Sequence, residues 1–174
     1  MSIEPGQFQT GIALSSTTAF QAPVTQKEKP LLWFSAPLKR MKGDDAFVFL
    51  MVCFPLLESI IRHETGIPDD QDVPFSDNSP ALNWFAEFMT IPKEEARPTW
   101  DAFRNGLLHR AMIKGAICYE LNGKRTGRPA SFSNGVLTIH VWELRDKLVG
   151  KLETHHRKLW QQPTAPLPQI FVSA

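Results

Sequence analysis

The longest apolar run in the chain, Ala46 to Leu57, constrains the fold more than any other feature. Its side chains are apolar on nearly every side of a helix, which is typical of a helix in the centre of a core. Gly43-Asp44-Asp45 provides an N-cap and Gly66 provides an end. We therefore predict a buried helix from about Asp45 to Glu64. Pro55 removes one backbone hydrogen bond, so we expect it to kink or split this helix.

Similar signals predict three more helices and a pair of strands. A capping sequence precedes the second helix, a glycine ends the third, and leucines at helical spacing mark the fourth. Two β-prone segments, separated by a loop rich in glycine and basic residues, lie between the third and fourth helices. The predicted fold class is therefore mainly α, a four-helix bundle with an inserted β-hairpin. The predicted elements are helices over residues 81–89, from between 92 and 98 to about 114, and over 142–161, and strands over residues 116–121 and 136–141.

These elements define one domain with a polar segment at each end. A chain of 174 residues has the usual size of a single domain, and the predicted domain spans residues 31–162. It opens with an apolar lead-in at residues 31–38. Residues 1–30 are rich in Ser, Thr, Gln and Pro, and we predict a flexible arm there. Residues 163–174 form a Pro-rich tail, and we predict that the last helix ends before it because proline interrupts helical hydrogen bonding.

Charge and apolar patterning argue against several classes of protein. The chain has 19 basic and 18 acidic residues, a net charge of +1, so RNA contacts must be local rather than spread over a wide basic surface. The apolar run is too short to span a bilayer, and the first twenty residues lack the pattern of a signal peptide. Cys53 and Cys118 lie among apolar residues, which predicts buried free thiols. We expect a cytoplasmic protein without membrane contact.

The third predicted helix places a basic residue on an apolar surface. On a helical wheel, Trp100 and Phe103 belong to the apolar side, and Arg104 falls beside Trp100. Asn105 and His109 are four residues apart and share one flank of the helix. An arginine in such a position is uncommon unless it is paired or used in function.

The segment Arg104-Asn105-Gly106-Leu107-Leu108-His109 resembles the active-site motif of the HEPN superfamily of ribonucleases. That motif is an arginine, a polar residue that is often asparagine, and a histidine a few residues later, on a helix of a small bundle. Arg104, Asn105 and His109 match it position by position, and the resemblance extends over about residues 44–161. It implies a four-helix HEPN-like fold and a metal-independent endoribonuclease with these three residues as its catalytic set. It also implies a homodimer in which two sites meet, and a toxin or defence role with an antitoxin or another partner protein.

The chemistry of RNA cleavage explains these residue types. A histidine titrates near neutral pH and serves as the base for the 2′-hydroxyl or as the acid for the leaving oxygen. An arginine is permanently charged and binds phosphate through two parallel hydrogen bonds. Asn105 would orient His109 or the phosphate. One set lacks a second acid or base, which His109 of a second subunit would supply.

Other interpretations of the same residues remain open. Arg104 would simply pair with an acid, for which Glu58 is the candidate, and His109 would be an ordinary surface residue. Glu58 either supports the site, by holding Arg104 or tuning His109, or forms an i,i+4 pair with Arg62. The alternative function is a non-catalytic HEPN-like interaction module that binds a partner protein or a nucleotide. The near-neutral charge favours this alternative.

Basic residues also cluster outside the motif. Lys124, Arg125 and Arg128 are candidate RNA-binding residues in the hairpin loop, although a solvated hairpin tip is the ordinary explanation. The run His155–Lys158 suits the end of the last helix, where cations are favoured. We predict no metal site and no cofactor, because the sequence has neither a zinc-type Cys/His set nor a Gly-rich phosphate loop.

Overall fold

The computed structural model describes residues 28–68, 71, 75, 76, 78–106, 117–120 and 126–161, with the backbone alone at residues 105, 117–120, 159 and 160. Over these residues the chain is mainly α-helical, which confirms the predicted class. The elements are α1 (Ala36–Arg40), α2 (Ala46–Thr65), α3 (Pro80–Met89), α4 (Lys93–Trp100), β1 (Ile117–Glu120), β2 (Ala130–Ser133), β3 (Val136–His140) and α5 (Val141–Gln161). Two π-helical turns add to them, Pro30–Ser35 before α1 and Asp101–Asn105 after α4.

Helix α2 is the buried helix that the apolar run predicts. It is continuous through Pro55, so the proline does not split it, and the residues on either side of the proline, Phe54 and Leu56, are buried. Gly66 ends it with a φ of 69°, a conformation that glycine adopts without steric cost. Cys53 is a buried free thiol, as predicted. The buried residues of α2 are Ala46, Phe49, Leu50, Cys53, Phe54, Leu56, Leu57, Ile60 and Ile61.

The segment before α2 is also helical, and the next helix along the chain, α3, has a capped N-terminus. The apolar lead-in forms the π-helical turn Pro30–Ser35 and α1, so it is more regular than its sequence pattern indicated. This turn begins at Pro30, which the sequence had placed in the arm. Residues 1–27 of the predicted arm and the whole of the predicted tail lie outside the described residues. Ser79 caps α3 as predicted, since its hydroxyl accepts a hydrogen bond from the Leu82 N–H at 3.1 Å.

The three strands form one sheet in the order β1-β3-β2, and this corrects the predicted hairpin. Both predicted strands exist, but β1 and β3 pair in parallel, with Ile117 opposite Leu137 and Glu120 opposite His140. The hairpin joins β2 to β3 instead, in antiparallel register. Its turn, Asn134-Gly135, has positive φ at both residues, as a two-residue hairpin turn requires. The connection over residues 121–135 contains β2, so it is long enough for β1 and β3 to run in the same direction.

The core lies between α2 and the helices that surround it. Helix α5 packs against α2, α1 and the π-helical turn Pro30–Ser35, while α3 packs against α2 and α4. Aromatic rings fill the space between α2, α3 and α4. Phe54 stacks on Phe103 at a centroid distance of 5.0 Å, and Phe75 stacks on Trp100 at 4.0 Å. The candidate arginine therefore follows directly after a buried aromatic residue.

Candidate functional site

Arg104 lies on the π-helical turn Asp101–Asn105 rather than on a regular α-helix. Pro98 lies inside α4, just before this turn, and lacks the backbone N–H that a regular helix would use. Phe103 is fully buried, whereas the Arg104 side chain is 36% exposed. A wider turn displaces residues from a 3.6-residue wheel, so Arg104 lies at the boundary of the core and not within its apolar side. π-helical turns occur often at functional sites.

Glu58 on α2 contacts two arginines from different elements. Its Oε1 accepts a hydrogen bond from Arg62 Nη2 at 3.1 Å, and its Oε2 lies 3.5 Å from Arg104 Nε. The Glu58 side chain is 19% exposed, so this carboxylate is largely shielded from water. Both proposed partners of Glu58 are thus present. The i,i+4 pair with Arg62 does not exclude the contact with Arg104.

Arg62 has a structural role in addition to its contact with Glu58. Its Nη1 donates hydrogen bonds to the backbone carbonyl of Pro68, at 3.2 Å, and to that of Gln71. These bonds tie the segment after α2 to the helix end. Arg62 is 17% exposed, about half the exposure of Arg104. Glu58 therefore joins an anchoring arginine to a more accessible one.

The other predicted site residues are described in part or not at all. Asn105 is described by its backbone alone, as the last residue of the π-helical turn. His109, Lys124 and Arg125 lie outside the described residues. Arg128 is exposed, which is compatible with both an RNA-binding residue and an ordinary solvated loop.

A carboxylate fixes the loop that carries Arg128. Glu143, in the first turn of α5, accepts hydrogen bonds from the backbone N–H groups of Thr126 and Gly127 and from the Thr126 hydroxyl. Burial raises the pKa of Glu143, but these hydrogen bonds outweigh burial and hold the pKa below its usual value. Helix α5 therefore holds the backbone of Thr126 and Gly127, immediately before Arg128, through Glu143.

A second polar cluster, which the sequence analysis missed, links α2, α3 and α5. The Glu64 carboxylate accepts hydrogen bonds from Trp84 Nε1 at 2.8 Å and from Lys151 Nζ at 2.9 Å. Burial raises the pKa of Glu64, but the hydrogen bonds from Lys151 and Trp84 outweigh it, and the pKa lies below its usual value. Lys151 also lies 5.3 Å from the centroid of the Trp84 ring. Each member of this cluster is thus held by more than one contact.

His155 belongs to this second cluster and corrects the prediction of a cation at the helix end. Its side chain is 3% exposed, and its Nε2 lies 3.6 Å from Glu64 Oε1 without forming a hydrogen bond. The His63 ring packs against it at 5.4 Å. Burial is the main cause that lowers the pKa of His155 to about 4, although Glu64 opposes this effect. His155 is therefore neutral at pH 7, and it could have been found from its helical spacing to Leu148 and Leu152.

Within the described residues, no group of three or more His, Cys, Asp or Glu side chains is placed to bind a metal ion. None of the helices in that part of the chain is both long enough and apolar enough to cross a membrane.

No protein-family model, no curated protein and no solved structure matches the chain. A functional hypothesis therefore depends on the chemistry and geometry of the chain's own residues.

Proposed function

We propose that the protein is a metal-independent endoribonuclease of the HEPN type, with Arg104, Asn105 and His109 as its catalytic residues. The observation that carries this proposal is the presentation of Arg104. It lies on a π-helical turn, 36% exposed, with its Nε 3.5 Å from the carboxylate of Glu58. An arginine that contacts an acid at the edge of a core is oriented before a phosphate arrives, which lowers the cost of binding it. Glu58 is then a positioning residue.

The proposed reaction uses the 2′-hydroxyl of RNA as its nucleophile. A base removes the proton of this hydroxyl, the 2′-oxygen forms a bond to phosphorus, and the bond to the 5′-oxygen breaks. An acid protonates the leaving 5′-oxygen, so the products are a 2′,3′-cyclic phosphate and a free 5′-hydroxyl. Arg104 stabilises the negative charge that builds on the phosphate oxygens. His109 of each subunit in a homodimer provides the two proton-transfer groups.

RNA cleavage in the presence of a chelator tests the proposal directly. We expect the full-length protein to cleave a mixed RNA panel in EDTA and to leave 2′,3′-cyclic phosphate ends. His109→Ala should lose cleavage by about a hundredfold or more. Arg104→Lys should fail almost as completely, because an ammonium does not reproduce the bidentate contact. Arg97→Ala is a matched control, since Arg97 precedes the site on α4 and forms an exposed pair with Asp101 at 4.0 Å.

A non-catalytic interaction module is the second candidate function, and the nearly balanced charge of the chain favours it. Cell growth during induced expression separates the two candidates. As a ribonuclease toxin or defence protein, the wild type should slow growth, and His109→Ala should restore it. Equal growth of both strains, together with inert protein on the RNA panel, would favour a module that binds a partner protein or a nucleotide. A strictly monomeric mass at micromolar concentration would contradict the proposed two-subunit site.

A further inference from the structure

Ser131 and His140 form a hydrogen-bonded serine–histidine pair on the sheet, separate from the proposed ribonuclease residues. Ser131 Oγ lies 2.9 Å from His140 Nε2, within hydrogen-bond distance. Ser131 on β2 is exposed, and His140 at the end of β3 is half-buried. A serine hydroxyl within hydrogen-bond reach of an imidazole is the basic unit of nucleophilic catalysis by serine.

Strand register explains why the two side chains meet. Ser131 lies opposite Thr138 in the antiparallel pair, so His140 is its diagonal neighbour on the same face of the sheet. Ala130 and Ile139 are opposite each other and buried, which directs the alternate positions, Ser131 included, toward solvent. Backbone pairing therefore makes Ser131 and His140 neighbours on one face of the sheet.

The same register assembles other polar positions around the pair. On β1, Glu120 occupies the register position directly opposite His140. Thr138, opposite Ser131, brings a second hydroxyl to this face, and hydroxyls are among the donors that stabilise an oxyanion.

We propose that Ser131 is a nucleophile activated by His140, and that it accepts acyl groups from small activated carboxylic esters. The Ser131 oxygen forms a bond to the carbonyl carbon while His140 Nε2 takes the hydroxyl proton. The bond to the ester oxygen then breaks, and His140 returns the proton to the leaving alcohol. Water hydrolyses the acyl-serine in the reverse sense, with His140 as its base. Because Ser131 is exposed, a small ester reaches it directly from solvent.

A fluorophosphonate and 4-nitrophenyl acetate are the probes for this pair. Attack by Ser131 on the fluorophosphonate forms a P–O bond and releases fluoride, and intact mass with peptide mapping locates the adduct. We expect the adduct on Ser131 of the full-length wild type, and none at that position in Ser131→Ala. His140→Gln should slow labelling and ester turnover by about a hundredfold. Ser133→Ala is the matched control, because Ser133 is an exposed serine two residues along the same strand.

Each outcome of this experiment has a defined meaning. An adduct that maps to Ser131, depends on His140 and survives Ser133→Ala supports the proposal. Absence of an adduct on wild type, equal labelling of Ser131 and Ser133, or a rate unchanged by His140→Gln would overturn it. Ester turnover that persists in Ser131→Ala but not in His140→Gln would also overturn it, because imidazole alone would then be the catalyst. Melting temperatures of all variants verify that they are folded, and His109→Ala should label like wild type.

Discussion

Helix α2 carries two acidic residues, Glu58 and Glu64, whose surroundings differ. The two side chains are about equally exposed, at 19% and 22%. Glu64 bonds Trp84 and Lys151 and lies beside a neutral histidine, so its cluster is compact and balanced in charge. Glu58 lies between two guanidinium groups, one of them 3.5 Å away and more exposed. A cluster held by several short contacts is suited to holding helices together, whereas the Glu58 cluster presents a guanidinium that is 36% exposed, as the proposed phosphate binding requires.

The largest expected effect concerns the aromatic support beneath the Arg104 turn. Phe54 is fully buried, stacks on Phe103 at 5.0 Å and contacts the edge of Trp100 at 5.9 Å. Phe54→Ala should lower the free energy of unfolding by about 3–5 kcal/mol, because it removes a buried ring and leaves a cavity. Urea denaturation measures this loss. Phe132→Ala is the control, since this ring is 44% exposed and its removal should cost about 0.5 kcal/mol or less. Equal costs would show that the core does not support the site in this way.

The second largest effect is a dependence of stability on pH that arises from the Glu64 cluster. The pKa of His155 is about 4 in the folded protein and 6.5 in the unfolded chain, so only the unfolded chain binds this proton between those values. The free energy of unfolding is therefore unaffected by His155 above pH 6.5. It decreases by about 3 kcal/mol as the pH is lowered from 6.5 to 4. Glu64 adds to the loss below pH 4.5, since its pKa is lowered by folding. Urea denaturation at pH 7 and at pH 4.5 measures the difference. His155→Leu should remove most of it, and an unchanged slope in that variant would refute the assignment.

A smaller effect should distinguish the two arginines that contact Glu58. Arg62 donates to two backbone carbonyls as well as to Glu58. Arg62→Met should therefore lower the free energy of unfolding by about 1–2 kcal/mol, because carbonyls and a half-buried carboxylate lose their donor. Thermal unfolding detects this as a shift of roughly 2–8 °C. If Arg62→Met melted at the wild-type temperature, this result would contradict the anchoring role of Arg62.

The smallest stability effect should come from Arg104 itself. Its contact with Glu58 is long and its side chain is partly exposed, so the pair is worth about 1 kcal/mol or less. Arg104→Met should accordingly melt close to the wild-type temperature in the same assay. A loss as large as that of Arg62→Met would indicate that Arg104 is a structural ion-pair member. That result would favour the simpler interpretation of the motif.

Hydrophobic periodicity predicted the main helices well, because the apolar spacing and the capping residues of a helix are local in sequence. The buried α2, the capped α3 and the long α5 all follow from apolar spacing and from residues such as Ser79 and Gly66. The strands were found in the same way, but their pairing was not, since pairing depends on residues far apart in the chain. β2 was missed because Ala130–Ser133 has little apolar pattern, although Asn134-Gly135 is a strong hairpin signal that would have located it.

The polar clusters were less predictable than the elements that carry them. The contact between Glu58 and Arg104 could be anticipated, since an arginine near a core needs an acid and Glu58 lies in the most apolar helix. The exposure of Arg104 could not be anticipated. A helical wheel assumes 3.6 residues per turn, and this assumption does not hold for the π-helical turn Asp101–Asn105. The Glu64 cluster requires α2, α3 and α5 to pack together, and local sequence carries no direct record of that packing.

The most direct test of the central claim is RNA cleavage and thermal melting measured together on Arg104→Lys and Arg62→Met. If Arg104 serves a phosphate and Arg62 serves the fold, Arg104→Lys should lose about a hundredfold in cleavage and melt like wild type. Arg62→Met should melt earlier and, at a temperature where it is folded, cleave RNA at close to the wild-type rate. The opposite pattern, with cleavage retained in Arg104→Lys and stability lost, would contradict the claim.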